Sequence, residues 1–212
     1  RSGEPTLFCL VGKEGLFAGI ASPRDANGFY PGGTKFIRQA SAETISRAGA
    51  KIAEALHYLR LFAEAPGKGL HWLELGASPG GMTSELLLRD YRVTAVDRAG
   101  LDKRLDNAPG LEFMKKDVAE FNPRTGVVFD ALLSDMNGEP RDALRQVVRL
   151  SKNLVKNGLV VFTLKTTGED SVEGINALHR AATADAAKGG LDLFATTHLT
   201  YNRQAFTLLF RK

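Results

Sequence analysis

Nine residues, Leu73-Glu74-Leu75-Gly76-Ala77-Ser78-Pro79-Gly80-Gly81, narrow the folds open to this chain more than any other stretch. An apolar strand that breaks at a glycine and passes straight into a helical pattern is the turn at which open α/β sheets bind ligands. Gly76, Gly80 and Gly81 let the backbone turn tightly and approach a ligand without an intervening Cβ. Their spacing, G-x-x-x-G-G, is not the G-x-G-x-x-G that cradles a pyrophosphate, which disfavours a nicotinamide dinucleotide. No Lys-Ser/Thr pair follows, so a P-loop is excluded too.

The remainder of the chain agrees with such a sheet. Short apolar runs at Leu70–Leu75, Tyr91–Val96, Leu111–Lys115, Val127–Leu133 and Leu159–Leu164 read as strands. Helical patterns at Gly80–Arg89, Arg141–Val155 and Val172–Ala187 alternate with them. Strands apolar on both faces, separated by helices, indicate a mostly parallel sheet covered on both sides. Asp192–Leu199 and Ala205–Phe210 follow without an intervening helix and predict an antiparallel hairpin at one end of the sheet. Ahead of this α/β core, Thr6–Val11 and Leu16–Ala21 flank Gly12-Lys13-Glu14-Gly15, a hairpin signal. Ser22–Gln39 is rich in turn formers and carries Arg24, Lys35 and Arg38. Ser41, with Glu43 and Thr44 after it, opens a helical pattern that runs to about Phe62. The expected organisation is an N-terminal hairpin and basic loop over residues 1–40 and an α/β domain over 41–212.

A chain of 212 residues with 43% hydrophobic content buries a full core. Its net charge of +4 is compatible with a phosphate-bearing partner but does not select one. The single cysteine, Cys9, excludes an internal disulfide, and the four scattered histidines lack zinc-ligand spacing. No apolar run reaches the length of a membrane span, and no secretory pattern opens the chain, so the cytoplasm is the expected compartment.

Acidic and basic residues fall at successive strand ends. Asp97 closes the second strand of the nucleotide half, where a carboxylate accepts hydrogen bonds from ribose hydroxyls. Asp117 follows the next strand, placed for an adenine amino group. Ser134-Asp135-Met136 ends one later strand, and Leu164-Lys165 ends its neighbour. Each of these two strands is apolar to its last residue and then delivers one charge. Asp135 and Lys165 read either as an acid/base pair or as a structural ion pair.

The segment Ser46-Arg47-Ala48-Gly49-Ala50-Lys51-Ile52, the Leu75–Gly81 loop with Pro79, Ser134-Asp135-Met136 and Leu164-Lys165 together resemble the FtsJ-type ribose 2′-O-methyltransferases. The likeness runs from the N-terminal hairpin, through Phe29–Gly33, to Arg211, and is greatest to the RlmM branch, which methylates a cytidine ribose in bacterial large-subunit ribosomal RNA. The resemblance implies a Rossmann-like methyltransferase sheet, a monomer, and S-adenosylmethionine held by Gly76, Ala77, Ser78, Pro79, Gly80, Gly81, Met82, Asp97, Asp117 and Asp135. It also implies a Lys-Asp-Lys-Glu tetrad, carried here by Lys51, Asp135 and Lys165, with Lys165 as general base and no metal. A lysine serves as a base only when uncharged; Lys51, the sulfonium and desolvation disfavour its charge, and Asp135 opposes them.

Two departures stand out. The tetrad glutamate should fall near Arg203-Gln204-Ala205-Phe206, where only Gln204 and Ala205 are available. Met82 stands where an aromatic residue is common. The resemblance further implies an additional N-terminal RNA-binding region, with residues 1–40 as the remnant of its junction. Arg24, Lys35, Arg38, Arg47, Lys51, Arg141, Arg203 and Gln204 are expected around the open end of the sheet, offering contacts to phosphate. Phe29, Tyr30 and Tyr201 are candidates for stacking on a base. Two alternatives stay open: a catalytically weakened RNA-binding or ribosome-assembly module, and a methyltransferase acting on a small molecule or protein.

Overall fold

The computed structural model describes residues 1–30, 44–64 and 66–212. In chain order the elements are β1 (Thr6–Gly12), β2 (Gly15–Ala21), α1 (Ala48–Leu59), β3 (His71–Leu75), α2 (Gly81–Leu87), β4 (Arg92–Asp97) and β5 (Leu111–Lys115). They continue with β6 (Phe129–Ser134), α3 (Pro140–Ser151), β7 (Leu154–Lys165), α4 (Val172–Lys188), β8 (Asp192–Thr197) and β9 (Ala205–Arg211).

Seven strands form one sheet in the order β5-β4-β3-β6-β7-β9-β8. Strands β3 to β7 are mutually parallel, and β9 runs antiparallel between β7 and β8, which is the expected closing hairpin. Alternation along each strand divides the core in two. Trp72, Val93, Ala131, Leu133 and Val161 point to one face, where Ile52, Leu56 and Leu59 of α1 and Leu86 of α2 cover them. Leu73, Leu75, Leu132, Val160 and Phe162 point to the other, under Leu144, Val147 and Leu150 of α3 and Ala182 and Ala186 of α4. From β3 the chain winds outward through β4 and β5, then returns to β6 on the opposite side of β3. The carboxyl ends of β3 and β6 therefore flank the point where the winding reverses, the crevice such sheets offer to ligands.

The β1–β2 hairpin forms a separate two-stranded sheet, with Lys13-Glu14 as its turn between the paired Gly12 and Gly15.

Two boundaries differ from expectation. The described residues Thr44–Arg47 are not helical, and α1 begins only at Ala48. Ser46 turns its hydroxyl back onto the Ala48 N–H at 3.3 Å, a side-chain bond that competes with helix continuation. At the other end, Leu61 and Phe62 donate to the carbonyls of Tyr58 and Leu59, so the last turn tightens beyond Leu59. The second difference lies between α3 and β7. The apolar spacing predicts helix to Val155, yet α3 stops at Ser151 and β7 begins at Leu154, paired with Phe129. Asn157, at φ 62°, and Gly158 let the chain bend there before its main run along β6. Long-range pairing overrides the local period.

Candidate active site

Gly76 ends β3 with φ 78°, and a Cβ on it would lie 2.9 Å from the Met136 Cα. The glycine therefore lets the ends of β3 and β6 close against each other. At Gly81, the first residue of α2, a Cβ would fall on the Ser46 hydroxyl. The pairing of a Ser-Arg-x-x-x-Lys segment with a Pro-Gly-Gly loop thus has a packing reason: the entry to α1 rests on the entry to α2, and this sets Lys51 over the crevice.

The crevice holds a cavity of about 780 Å³. Gly76 to Pro79, Gly81, Met82, Asp97, Asp117, Lys51, Asp135 and Lys165 all line it, so the structure brings these sequence candidates together. Gly80 sits in the same turn, at φ 105°. Asp97 accepts the N–H groups of Ser78 at 2.9 Å and Ala99 at 2.8 Å, which fixes its carboxylate beside the glycine turn. Asp117 accepts the Ala119 N–H at 2.9 Å, with Arg98 at 3.7 Å. Each carboxylate keeps lone pairs for a ligand.

At the cavity's other end, Asp135 stands between two lysines. Its Oδ2 accepts Lys51 Nζ at 2.8 Å and its Oδ1 accepts Lys165 Nζ at 2.5 Å. The three side chains are only 14–18% exposed. One turn of α1 and the ends of two adjacent strands thus place two amines on one carboxylate. Ala205, the first residue of β9, is the register partner of Lys165. A methyl group therefore stands opposite the lysine in the register, and Gln204 beside it is exposed.

Glu74 was not among the sequence candidates, and the signal for it was an acid inside the otherwise apolar run Trp72–Leu75. It is 2% exposed, lines the cavity and accepts the Thr83 hydroxyl at 2.7 Å. Burial pushes its carboxyl up to about 8; the charges of Asp135 and Asp97 add to the rise, and the Thr83 bond opposes it. A carboxyl held above its unfolded value stabilises the fold when protonated. That contribution is complete below about 4.5, the ordinary value, and is lost as pH rises through about 8. The ligand-free protein should therefore melt at lower temperature as pH goes from 5 to 9, by a few kcal/mol of stability, and Glu74→Gln should flatten the profile. Parallel pH profiles for the two proteins would contradict the assignment.

The residues expected to touch RNA divide. Arg47 and Arg203 are exposed, the first at the entry of α1, four residues before Lys51, and the second two residues before Ala205, the register partner of Lys165. Lys35 and Arg38 lie outside the described residues. Arg24 does not reach the site: its Nε donates to the Leu61 carbonyl at 3.0 Å, ten residues beyond Lys51 and so about 15 Å further along the helix direction. Arg141 is held by Asp185 of α4 at 2.6 Å. Phe29 and Tyr30 pack near the His57 ring, with Arg60 over Phe29, so part of the expected stacking surface is used internally.

Residues 44–188, well over half of the chain, match the family model described as FtsJ-like methyltransferase. The chain belongs to the FtsJ-like methyltransferase family. Two relatives of this FtsJ-like chain are each called Ribosomal RNA large subunit methyltransferase M. The one from Halorhodospira halophila is 39% identical over 61% of this chain and 36% of its own length. The one from Azotobacter vinelandii is 31% identical over 91% of this chain and 54% of its own length. The FtsJ-like chain thus spans about half, or less, of these curated relatives. Among solved structures, the fibrillarin of Aeropyrum pernix, determined with natively bound S-adenosylmethionine, superposes with a TM-score of 0.59 at 19% identity, covering 98% of this chain and 99% of the other. That likeness shows the Rossmann-like methyltransferase fold.

Proposed function

We propose that this chain transfers a methyl group from S-adenosylmethionine to a ribose 2′-hydroxyl of large-subunit ribosomal RNA. The observation that carries the reading is the Lys51–Asp135–Lys165 cluster at one end of a cavity shaped by the glycine turn. The two ribosomal RNA methyltransferase relatives support the substrate class, and the ligand of the fibrillarin supports the cofactor.

The residues present fit that cofactor. Gly76 and Gly81 let the turn close against Met136 and Ser46 so that its backbone borders the cavity, Asp97 and Asp117 offer acceptors to ribose and adenine, and Asp135 places negative charge at the cavity's other end. When bound, the cofactor would supply an electrophilic methyl group on a positive sulfonium, whose C–S bond would break in line with the incoming oxygen to leave neutral S-adenosylhomocysteine. Lys165 takes the proton of the attacking 2′-hydroxyl, which requires the uncharged amine. Asp135 holds both amines in place. Aligning the two reactants accounts for much of the remaining acceleration. Arg47, Arg203 and Gln204, together with Lys35 and Arg38, meet the flanking phosphates. Arg203→Ala should weaken RNA binding uniformly across sequences and flatten its log–log salt dependence by about one unit, measured by filter retention. An unchanged slope would remove Arg203 from the RNA face.

The substrate is tested by offering unmodified large- and small-subunit ribosomal RNA in competition and identifying methylated nucleosides by mass. A 2′-O-methylnucleoside is expected from the large-subunit RNA alone. A base-methylated product, or equal labelling of both RNAs, refutes it. A second reading, a catalytically weakened RNA-binding module, is favoured by one observation, the methyl of Ala205 opposite Lys165. Ala205→Glu should change kcat by less than about tenfold if the chain is a working enzyme; a gain of a hundredfold or more would favour the weakened reading.

A further inference from the structure

Glu54 and Glu74 are the two fully buried carboxylates among the described residues, and only Glu74 lines the cavity. Glu54 is 0% exposed, on α1 one turn beyond Lys51. Its Oε2 accepts the backbone N–H of Thr200 at 2.9 Å and its Oε1 accepts the Thr200 hydroxyl at 2.9 Å, a link across 146 residues. Burying a carboxylate is costly unless its lone pairs are filled, and a helix that needed only a core face would place an apolar residue there, as at Ala53, Ala55 and Leu56. What the link joins gives a reason for the cost. Thr200 is exposed and lies in the connection from β8 to β9. That connection carries Arg203 and Gln204 and ends at Ala205, opposite Lys165, with the Gln204 carbonyl accepting the Thr166 N–H at 2.9 Å. One end is tied to the helix of Lys51, the other to the strand of Lys165.

We propose that Glu54 is a positioning residue: by holding Thr200 it sets the 198–204 connection as a rim over the two lysines, so that RNA held by Arg203 and Gln204 presents its ribose to Lys165. This rests on the RNA ribose reading above. A carboxylate suits the task because it only accepts, and both groups of Thr200 donate to it.

The test uses Glu54→Ala, Glu54→Gln and Thr200→Val in the whole chain. Glu54→Ala should raise KM for RNA by about tenfold or more, with kcat and the affinity for S-adenosylhomocysteine within about threefold. Glu54→Gln should restore most of the loss, since its amide oxygen takes the N–H and its amino group meets a rotated hydroxyl. Thr200→Val, at an exposed position, removes one bond and should raise KM by about threefold. In the Glu54→Ala background, Arg203→Ala should add little further loss, because its side chain is already misplaced. Hydrogen exchange gives a readout independent of turnover: amides of 198–204 should exchange faster in Glu54→Ala and Thr200→Val, with 76–82 unchanged. An unchanged KM overturns the proposal, as does a proportional fall in kcat, RNA affinity and S-adenosylhomocysteine affinity. If Glu54→Ala fails to fold, normal exchange and KM in Thr200→Val overturn it alone. If the wild-type chain methylates no RNA, the functional reading fails by itself, and exchange together with RNA affinity still decides whether Glu54 sets the rim.

Discussion

Lys165→Ala is expected to lower methyl transfer to RNA by about a thousandfold while S-adenosylhomocysteine binds within about threefold of wild type. The amine stands at the carboxyl end of β7 with its nitrogen 2.5 Å from Asp135, and removing it deletes the group proposed to take the hydroxyl proton. Loss of an ion pair alone is a different matter, and Lys165→Arg separates the two. An arginine keeps the pairing with Asp135 but does not give up its proton at working pH, so it should fold normally and be as inactive as the alanine variant. If Lys165→Arg retains a tenth or more of the activity, Lys165 is an electrostatic or structural group and not the base.

Asp135→Ala should be the most damaging single change to the cluster. It leaves two amines facing each other at a site only 14–18% exposed, without the carboxylate that both contact. Breaking a fully buried pair costs about 3–5 kcal/mol; with some solvent reaching these side chains, about 2–3 kcal/mol of stability is expected to be lost. Activity should fall by at least the factor expected for Lys165→Ala, since Asp135 holds the proposed base and lines the cavity proposed for the cofactor. Asp135→Asn should keep more of the stability than of the activity, because an amide fills the space and accepts one bond but carries no charge. Equal melting temperatures for wild type and Asp135→Ala would show that the lysines are not held as the structure has them.

The sequence was most informative where a local pattern and the fold demand the same thing. The glycine turn, the acids at the ends of β4 and β6 and the lysine closing β7 were legible because an apolar run that ends in one charged side chain leaves few placements. The closing β8–β9 hairpin followed from the missing helix between two strands. Other features depend on contacts that no period encodes. The start of α1 is set by Ser46 resting on Gly81, and the start of β7 by Leu154 pairing with Phe129. Arg24 and Arg141 looked like phosphate ligands by charge alone, yet the first caps a carbonyl beyond α1 and the second ties α3 to α4. Glu54 was hidden for the opposite reason. An acid on an amphipathic helix reads as solvated, and only the fold shows that it points inward at Thr200.

The proposed reaction needs Lys51, Asp135 and Lys165 to act together on a ribose hydroxyl. Its most direct test is to incubate wild-type protein and Lys165→Ala with methyl-labelled S-adenosylmethionine and unmodified ribosomal RNA, then digest the RNA in alkali. A methylated 2′-oxygen cannot attack the adjacent phosphate, so label is expected in alkali-resistant dinucleotides from wild type and none from Lys165→Ala. Label recovered only in mononucleotides, or in equal amounts from both proteins, would contradict it.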